Sequence, residues 1–246
     1  MSEIRWSTFK ELTPDFTSSD GKWLFRGQSD PAWQLETSYR RYCRSIGVAF
    51  DLRRFIHLLE SFVGTASDYL ERDLTDLSVS SKIALAQHHG IPTPFLDWTE
   101  SPYIATFFAL WHRVSSPCET PFTVWAMRVG PDGFRREHKC DDITKWESFT
   151  VIRPKLFESK RMARQLGWFT CLLADETIDG FTSRSHQETE MQRYDISGEA
   201  WLGVLRELNL MGIGAGNLFN SLDGVADDAR MTHMIEAMLT SEGVGG

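Results

Sequence analysis

The sequence predicts an α+β fold. Segments with helical periodicity outnumber strand-like runs, and the strand-like runs come from well-separated parts of the chain. The most densely patterned stretch, Ile83 to Leu110, reads as helix, sharp turn, short strand and second helix. The expected architecture is a single domain with small mixed or antiparallel sheets flanked by helices.

Taken in order, residues 1–20 read as an N-terminal approach segment closed by a Ser-Ser-Asp-Gly turn at 18–21. Trp23-Leu24-Phe25-Arg26-Gly27 is a short strand running into a turn that Ser29-Asp30-Pro31 continues. The following stretch to Arg44 is aromatic and basic, with Arg40, Arg41 and Arg44 close together. Asp51 caps a long helix in which Leu52, Phe55, Ile56, Leu59, Phe62 and Val63 recur at helical spacing. Ser80 or Ser81 caps the helix of the central stretch, and Gly90 with Pro92 must end it. Pro92 and Pro94 hold Ile91 and Thr93 extended, because the residue before proline avoids the α region. Ser101 and Pro102 restart a helix as N-cap and first helical residue.

Ser115 to Pro121 reads as a loop and Phe122 to Val129 as a strand. Asp132 to Glu147 is charged and irregular, the pattern of a mobile insertion, and Leu166 to Leu173 is a strand. Thr177 to Gln192 is polar and reads as a loop, ahead of a last strand at Arg193 to Ile196. Ser197 caps a helix through Leu208, stopped by Gly212; Gly214-Ala215-Gly216 turns the chain, and Asp223-Gly224 starts a final helix to about Leu239. The residues after Ser241 are expected to fray.

The totals fit an ordinary globular protein. Over 246 residues, 41% are hydrophobic and 24% charged, and the net charge is −8. That acidic balance argues against nonspecific binding along a nucleic-acid backbone, which runs on Lys and Arg. Four scattered cysteines with no CxxC pair argue against a zinc knuckle and fit reduced thiols in a cytoplasm. MSEIRWSTF does not read as a signal peptide, and no apolar run reaches membrane-spanning length, so no membrane partner is expected.

Several groups can carry chemistry. Arg26 ends a strand beside Gly27 and Gln28, where a guanidinium fork and a backbone open to close approach suit a phosphate or carboxylate. The bland alternative is a structural Arg that bridges carbonyls or pairs with Asp97. Asp97 follows an apolar strand tip and reads as that partner or as a general base. Thr99 and Ser101 lie two apart in an extended run, so both hydroxyls can face one ligand, although Ser101 is also the helix cap. Tyr103 can stack on a flat ring or sit in the core beside Phe107 and Phe108. His88 and His89 are adjacent and not the i, i+4 pair of a helical metal site, so capping of carbonyls at the helix end is the favoured reading. Gln165 can bind a sugar hydroxyl or amide but cannot act as a base. Glu188 and Glu190 form a second acidic pair, read first as a solvated loop.

These blocks resemble the FRG domain family, named for its Phe-Arg-Gly signature. The resemblance rests on Phe25-Arg26-Gly27, on Gln87-His88-His89-Gly90-Ile91-Pro92-Thr93 with Leu96-Asp97-Trp98-Thr99, and on Ser101-Pro102, Ala105 and Phe108-Ala109. Arg161 with Gln165-Leu166-Gly167-Trp168-Phe169 looks like a third block, and Leu218-Phe219 with Leu222-Asp223-Gly224 like a closing one. Pro94, where the family often has a basic or aliphatic residue, and Asn220, where it usually has proline, depart from the pattern. The likeness spans roughly residues 20 to 230 and implies an FRG domain over 21–240, with a flexible tail at 241–246.

FRG domains occur in bacteria and their phages, which implies a setting of phage defence, counter-defence or toxin action. Their order of elements is similar to that of mono-ADP-ribosyltransferases, which implies a core of that type with NAD as substrate. Carried over, Arg26 grips the pyrophosphate or nicotinamide ribose, with Gly27, Gln28 and His88 around it. Thr99 and Ser101 take the Ser/Thr positions and Tyr103 stacks. Gln165 takes the position that is acidic in those enzymes, with Glu190 as the alternative, and Asp97 can supply the anion that Gln165 lacks. The first expectation is therefore an ADP-ribosyltransferase or NAD glycohydrolase with a protein, nucleic-acid or water acceptor. The second is a nucleotide- or protein-binding module without turnover. The third is a metal-dependent hydrolase using His88, His89 and Asp97, which needs a further ligand.

Overall fold

The computed structural model describes residues 3–17, 21–135, 140–154, 165–184 and 189–242. The turn at 18–20, Arg161 and the basic segment around it, and Glu188 lie outside the described residues. The helices are α1 (Trp6–Leu12), α2 (Ser38–Ser45), α3 (Leu52–Leu70), α4 (Val79–His88), α5 (Pro102–Leu110), α6 (Ile178–Arg184), α7 (Trp201–Leu210), α8 (Ala215–Phe219) and α9 (Leu222–Glu242). The strands are β1 (Lys22–Gln28), β2 (Phe95–Thr99), β3 (Phe122–Val129), β4 (Phe134–Arg135), β5 (Phe149–Ile152), β6 (Gly167–Leu172) and β7 (Thr189–Ile196).

The expected α+β class holds, but the strands join one seven-stranded sheet rather than several small ones, in the order β4-β5-β6-β2-β1-β3-β7. Neighbours are antiparallel except β4 and β5. Pairing is extensive on both sides and sparse in the middle. β1 pairs with β3 through seven residues, and β2 with β6 through five. Between β1 and β2 the only register pair is Phe25 opposite Thr99.

Strand alternation explains how the sheet is covered. Phe25 and Thr99 are directly opposite, so Phe25, Phe95, Asp97 and Thr99 share one face. Two separate cores lie on that face. Phe25, Val124 and Ala126 pack under α1, α5, α7, α8 and α9, through Phe9, Phe107, Leu205, Leu218 and Met231 among others. Phe95, Phe169 and Cys171 pack under α2, α3 and α4, through Tyr39, Phe55, Leu59 and Ile83. The other face, with Leu24, Leu96, Trp98, Trp125 and Trp168, is closed by Leu35 and by Ile178 of α6.

The local chemistry is as expected at the strongest signals. The Asp51 carboxylate accepts the Arg53 N–H at 2.9 Å and starts α3, which buries Phe55, Leu59 and Val63 at i, i+4 and i+8. The Ser101 hydroxyl accepts the Ile104 N–H at 3.2 Å, with Pro102 following it, to start α5. Gly90 leaves α4 at φ 82°, a conformation that favours glycine. Asn220 ends α8 at φ 49°, which proline cannot adopt.

Other expectations give way. Ser78, not Ser80 or Ser81, caps α4, and both of those are buried within it. Ser197 does not cap α7, whose N-cap is Ala200 with no side-chain bond. Gly214-Ala215-Gly216 runs into helix α8 rather than a simple turn, because Asp228 accepts the Ala215 and Gly216 N–H groups at 2.6 and 2.7 Å. The polar stretch from Thr177 holds α6 and the first half of β7 in place of a loop. Ile178 anchors α6 against Leu35, donating its N–H to the Leu35 carbonyl at 2.9 Å. Within Asp132 to Glu147 the chain forms β4 and a 3-10 turn at Ile143–Lys145, and β5 follows it.

Candidate functional site

A cleft of about 360 Å³ opens where β1 and β2 part company. The two strands run antiparallel and touch at Phe25 and Thr99, so Arg26 to Gln28 and Phe95 to Asp97 diverge from that point. A four-residue link secures the joined end. Glu100, just past β2, accepts from Lys22 of β1 at 2.8 Å and from the Trp168 indole of β6 at 2.6 Å, with Arg153 at 3.6 Å. The Lys22 and Arg153 cations also stand 5.2 and 5.6 Å from the Trp168 ring. Burial alone would raise the Glu100 carboxyl, but the hydrogen bonds from Lys22 and Trp168 and the charges of Lys22 and Arg153 outweigh it and hold it below the ordinary value.

Arg26 stands at the open end. Its guanidinium donates to the Asp97 backbone carbonyl at 2.8 Å, covering an acceptor that β1 leaves unpaired, and lies 3.8 Å from the Asp97 carboxylate. Burial lowers its pKa, with Asp97 opposing and Arg41 adding to the effect. About a fifth of the side chain still meets solvent, so the group remains a cation. Its Nε is buried without a partner. Asp97 is open to solvent, with 64% of its side chain exposed.

Several elements complete the walls. Ala84, Gln87 and His88 come from α4, Ala105 and Phe108 from α5, and Trp98 and Thr99 from β2. Gln165, Gly167, Trp168 and Phe169 come from β6 and the turn before it. Phe169 lies directly opposite Asp97 and Gly167 opposite Thr99, so the β2–β6 register fixes that wall. The Thr99 hydroxyl donates to the Gln165 carbonyl at 2.6 Å and accepts the Ser101 N–H at 3.2 Å. Gln165 donates its side-chain amide to the Leu218 carbonyl at 3.2 Å, joining the β6 wall to α8.

Of the residues singled out from sequence, Arg26, Gly27, His88, Asp97, Thr99 and Gln165 meet at this cleft. Three do not line it. Gln28 is buried, donating to the Gln34 carbonyl and accepting the Trp125 indole N–H. The Ser101 hydroxyl is committed to the helix cap. Tyr103 projects toward α1, edge-on to Trp6 at 6.0 Å, with its hydroxyl 3.3 Å from that of Thr13. The α5 residues that line the cleft are Ala105 and Phe108, on the face away from Tyr103. Glu190 also stands elsewhere, on β7 at the sheet edge and paired with Arg128 at 2.9 Å. Gly27 accommodates α5 as well as lining the cleft: a Cβ there would lie 1.8 Å from the Ala105 carbonyl oxygen.

Among the described residues no three His, Cys, Asp or Glu groups are placed to share a metal ion, so His88, His89 and Asp97 do not converge as a ligand set. All four cysteines are free. Gln87 and Trp98 belong to the patterned central turn in the sequence but carry no assigned role there, and the other aromatic walls carry none either. Their signal was faint, since Phe169 emerges only once the β2–β6 register is known.

The fold and site define an α+β protein with a small-molecule-sized, aromatic-walled cleft at a split in its central sheet. Residues 21–116 match the family model described as the FRG domain. No curated protein and no solved structure matches the chain. Among the described residues no helix is long and apolar enough to cross a membrane.

Proposed function

We propose that the cleft binds a nucleotide of the NAD type and cleaves its nicotinamide–ribose bond, passing ADP-ribose to water or to a macromolecular acceptor. The observation that carries this reading is the meeting of Arg26, Asp97, Thr99 and Gln165, from three distant segments, on one cleft. Its volume lies within the range of roughly 300–1,000 Å³ used by small-molecule sites. The aromatic walls suit a flat ring, and the Arg26 cation suits a phosphate. Breaking the nicotinamide–ribose bond develops positive charge on the sugar, which a fixed anion stabilises. Gln165 is neutral, so Asp97, the carboxylate in the lining, takes that part. Thr99 acts by holding the Gln165 turn rather than by touching ligand.

The test is incubation of the full chain with NAD, with released nicotinamide followed by chromatography. Asp97→Asn should lower turnover on the order of a hundredfold, and Arg26→Ala should abolish nucleotide binding in calorimetry. The absence of both nicotinamide release and binding of any nucleotide would overturn the proposal.

A second reading, a nucleotide-binding module without turnover, has its own support. The Gln165 amide is held by Leu218, and Asp97 already bonds to Gln87 and faces Arg26. Tight NAD binding with no product over hours would favour it.

A further inference from the structure

Asp97 is an exposed side chain on a short strand, and such a carboxylate ordinarily samples several rotamers. Here one of its oxygens is tethered. The Gln87 side-chain amide donates to Asp97 Oδ1 at 2.6 Å. The other oxygen, Oδ2, is the one that faces Arg26 at 3.8 Å.

A primary amide offers a donor end and an acceptor end, and a flip would turn the Gln87 carbonyl toward Asp97 and repel it. Thr93 prevents that flip. Its hydroxyl donates to Gln87 Oε1, and the same hydroxyl accepts the Phe95 backbone N–H at 3.2 Å, so its proton is directed to Gln87. Thr93 itself is fully buried and fixed from both sides. Its N–H reaches the Ser38 hydroxyl at 2.9 Å, and its carbonyl accepts the Tyr39 N–H at 3.0 Å. The position between Pro92 and Pro94 restrains its backbone further.

We propose that Thr93 and Gln87 are positioning residues for Asp97, forming a directed relay that tethers Oδ1 and presents Oδ2 to the ligand. The role rests on the proposed NAD-cleaving reading. Neither residue need touch ligand through its relay atoms to act. A tethered carboxylate meets the developing charge on the sugar without first reorganising, so its loss reads out in kcat more than in KM.

The experiment uses the full chain and two readouts. The first is nicotinamide release from NAD for wild type, Gln87→Met, Thr93→Val and Thr93→Ser. Thr93→Val and Gln87→Met should lower kcat about tenfold or more with KM changed by less than about twofold, and Thr93→Ser should restore it. The second is the Gln87 side-chain amide signal in 15N NMR of the unliganded chain. It should be shifted from the free-amide position in wild type and Thr93→Ser, and should move toward it in Thr93→Val and Asp97→Asn. Since Thr93→Val also leaves the Phe95 N–H without its acceptor, Gln87→Met serves as the second variant if that chain does not fold.

A shifted amide signal in wild type together with an unchanged kcat in Gln87→Met and Thr93→Val would overturn the positioning role and leave NAD cleavage standing. An amide at the free position in wild type would overturn the relay itself. A wild-type chain that releases no nicotinamide would overturn the proposed reaction and this role with it, and the amide signal would then mark a structural contact alone.

Discussion

The two flanks of β1 are built oppositely. Toward β3 the strand is paired along its whole length, from Lys22 opposite Val129 to Gln28 opposite Thr123. Toward β2 it is paired once. On the closed flank the side chains do packing: Phe25, Val124 and Ala126 lie in one core under α5. On the open flank Arg26 instead spans the gap and donates to the Asp97 backbone carbonyl. The difference shows how a continuous sheet can hold a cleft. Two cores sit side by side on one face, and the seam between them falls where the hydrogen-bond ladder is interrupted.

The largest effect is expected on the closed flank. Gly27→Ala would set a Cβ 1.8 Å from the Ala105 carbonyl oxygen and 2.8 Å from the Ala109 nitrogen, both backbone atoms that cannot step aside singly. Loss of about 3 kcal/mol is expected from such overpacking, measured as the shift in urea unfolding midpoint at constant slope. An unchanged midpoint would mean that α5 does not press on β1.

At the joined end of the open flank, Glu100 is held below the ordinary glutamate value of 4.5. A depressed folded-state value contributes stability that is present above 4.5 and lost as pH falls through the folded value. The stability difference between wild type and Glu100→Gln should therefore be greatest at neutral pH and shrink in acid. A difference that grows on acidification would show that the Lys22 and Trp168 bonds do not favour the charged form.

The next effect is smaller and sharpens the contrast between neighbours. Arg26→Met should change stability by no more than about 1 kcal/mol, because a desolvated cation gives way to an apolar chain of similar length. Nucleotide binding should nonetheless be lost. Two adjacent residues would then separate cleanly, Gly27 for folding and Arg26 for the ligand. A collapse in stability for Arg26→Met would make the arginine structural.

The smallest effect is expected beside Gln165. Leu166 has φ 50°, the left-handed region that costs an L side chain roughly 1–2 kcal/mol. Leu166→Gly relieves that strain but frees the unfolded chain, leaving a net gain of about 0.5 kcal/mol. A thermal melt that falls instead would assign the exposed leucine a packing role.

Much of this arrangement was legible in the sequence, for reasons that also mark its limits. Ser101-Pro102 and Asp51 announced their helices because caps are local chemistry. Phe122 to Val129 gave its strand because both faces are covered and every position but Arg128 is buried. Short elements were not legible. Helix α1 and strand β5 have too few residues to show periodicity, and they exist because Phe9 and Phe149 find partners far along the chain. The convergence of Arg26, Asp97, Thr99 and Gln165 was anticipated from the family resemblance, not from residue spacing alone. Which aromatic faces the cleft could not, since Tyr103 and Phe108 differ only by the direction each takes from α5. Gln87 was visible as a residue but not as a relay, because nothing in the sequence gives the distance between its amide and Asp97.

The near-absence of a ladder between β1 and β2 also bears on autonomy. The segment from 21 to 116 contributes only those two strands, and each finds its full-length partner later in the chain, β3 for one and β6 for the other. Cut free at 116, it would expose two bare strand edges with a single register pair to join them, a form prone to clump rather than to stand alone. What looks from the family match like a self-sufficient module is the middle of a larger sheet, and it needs a strand on either side to exist.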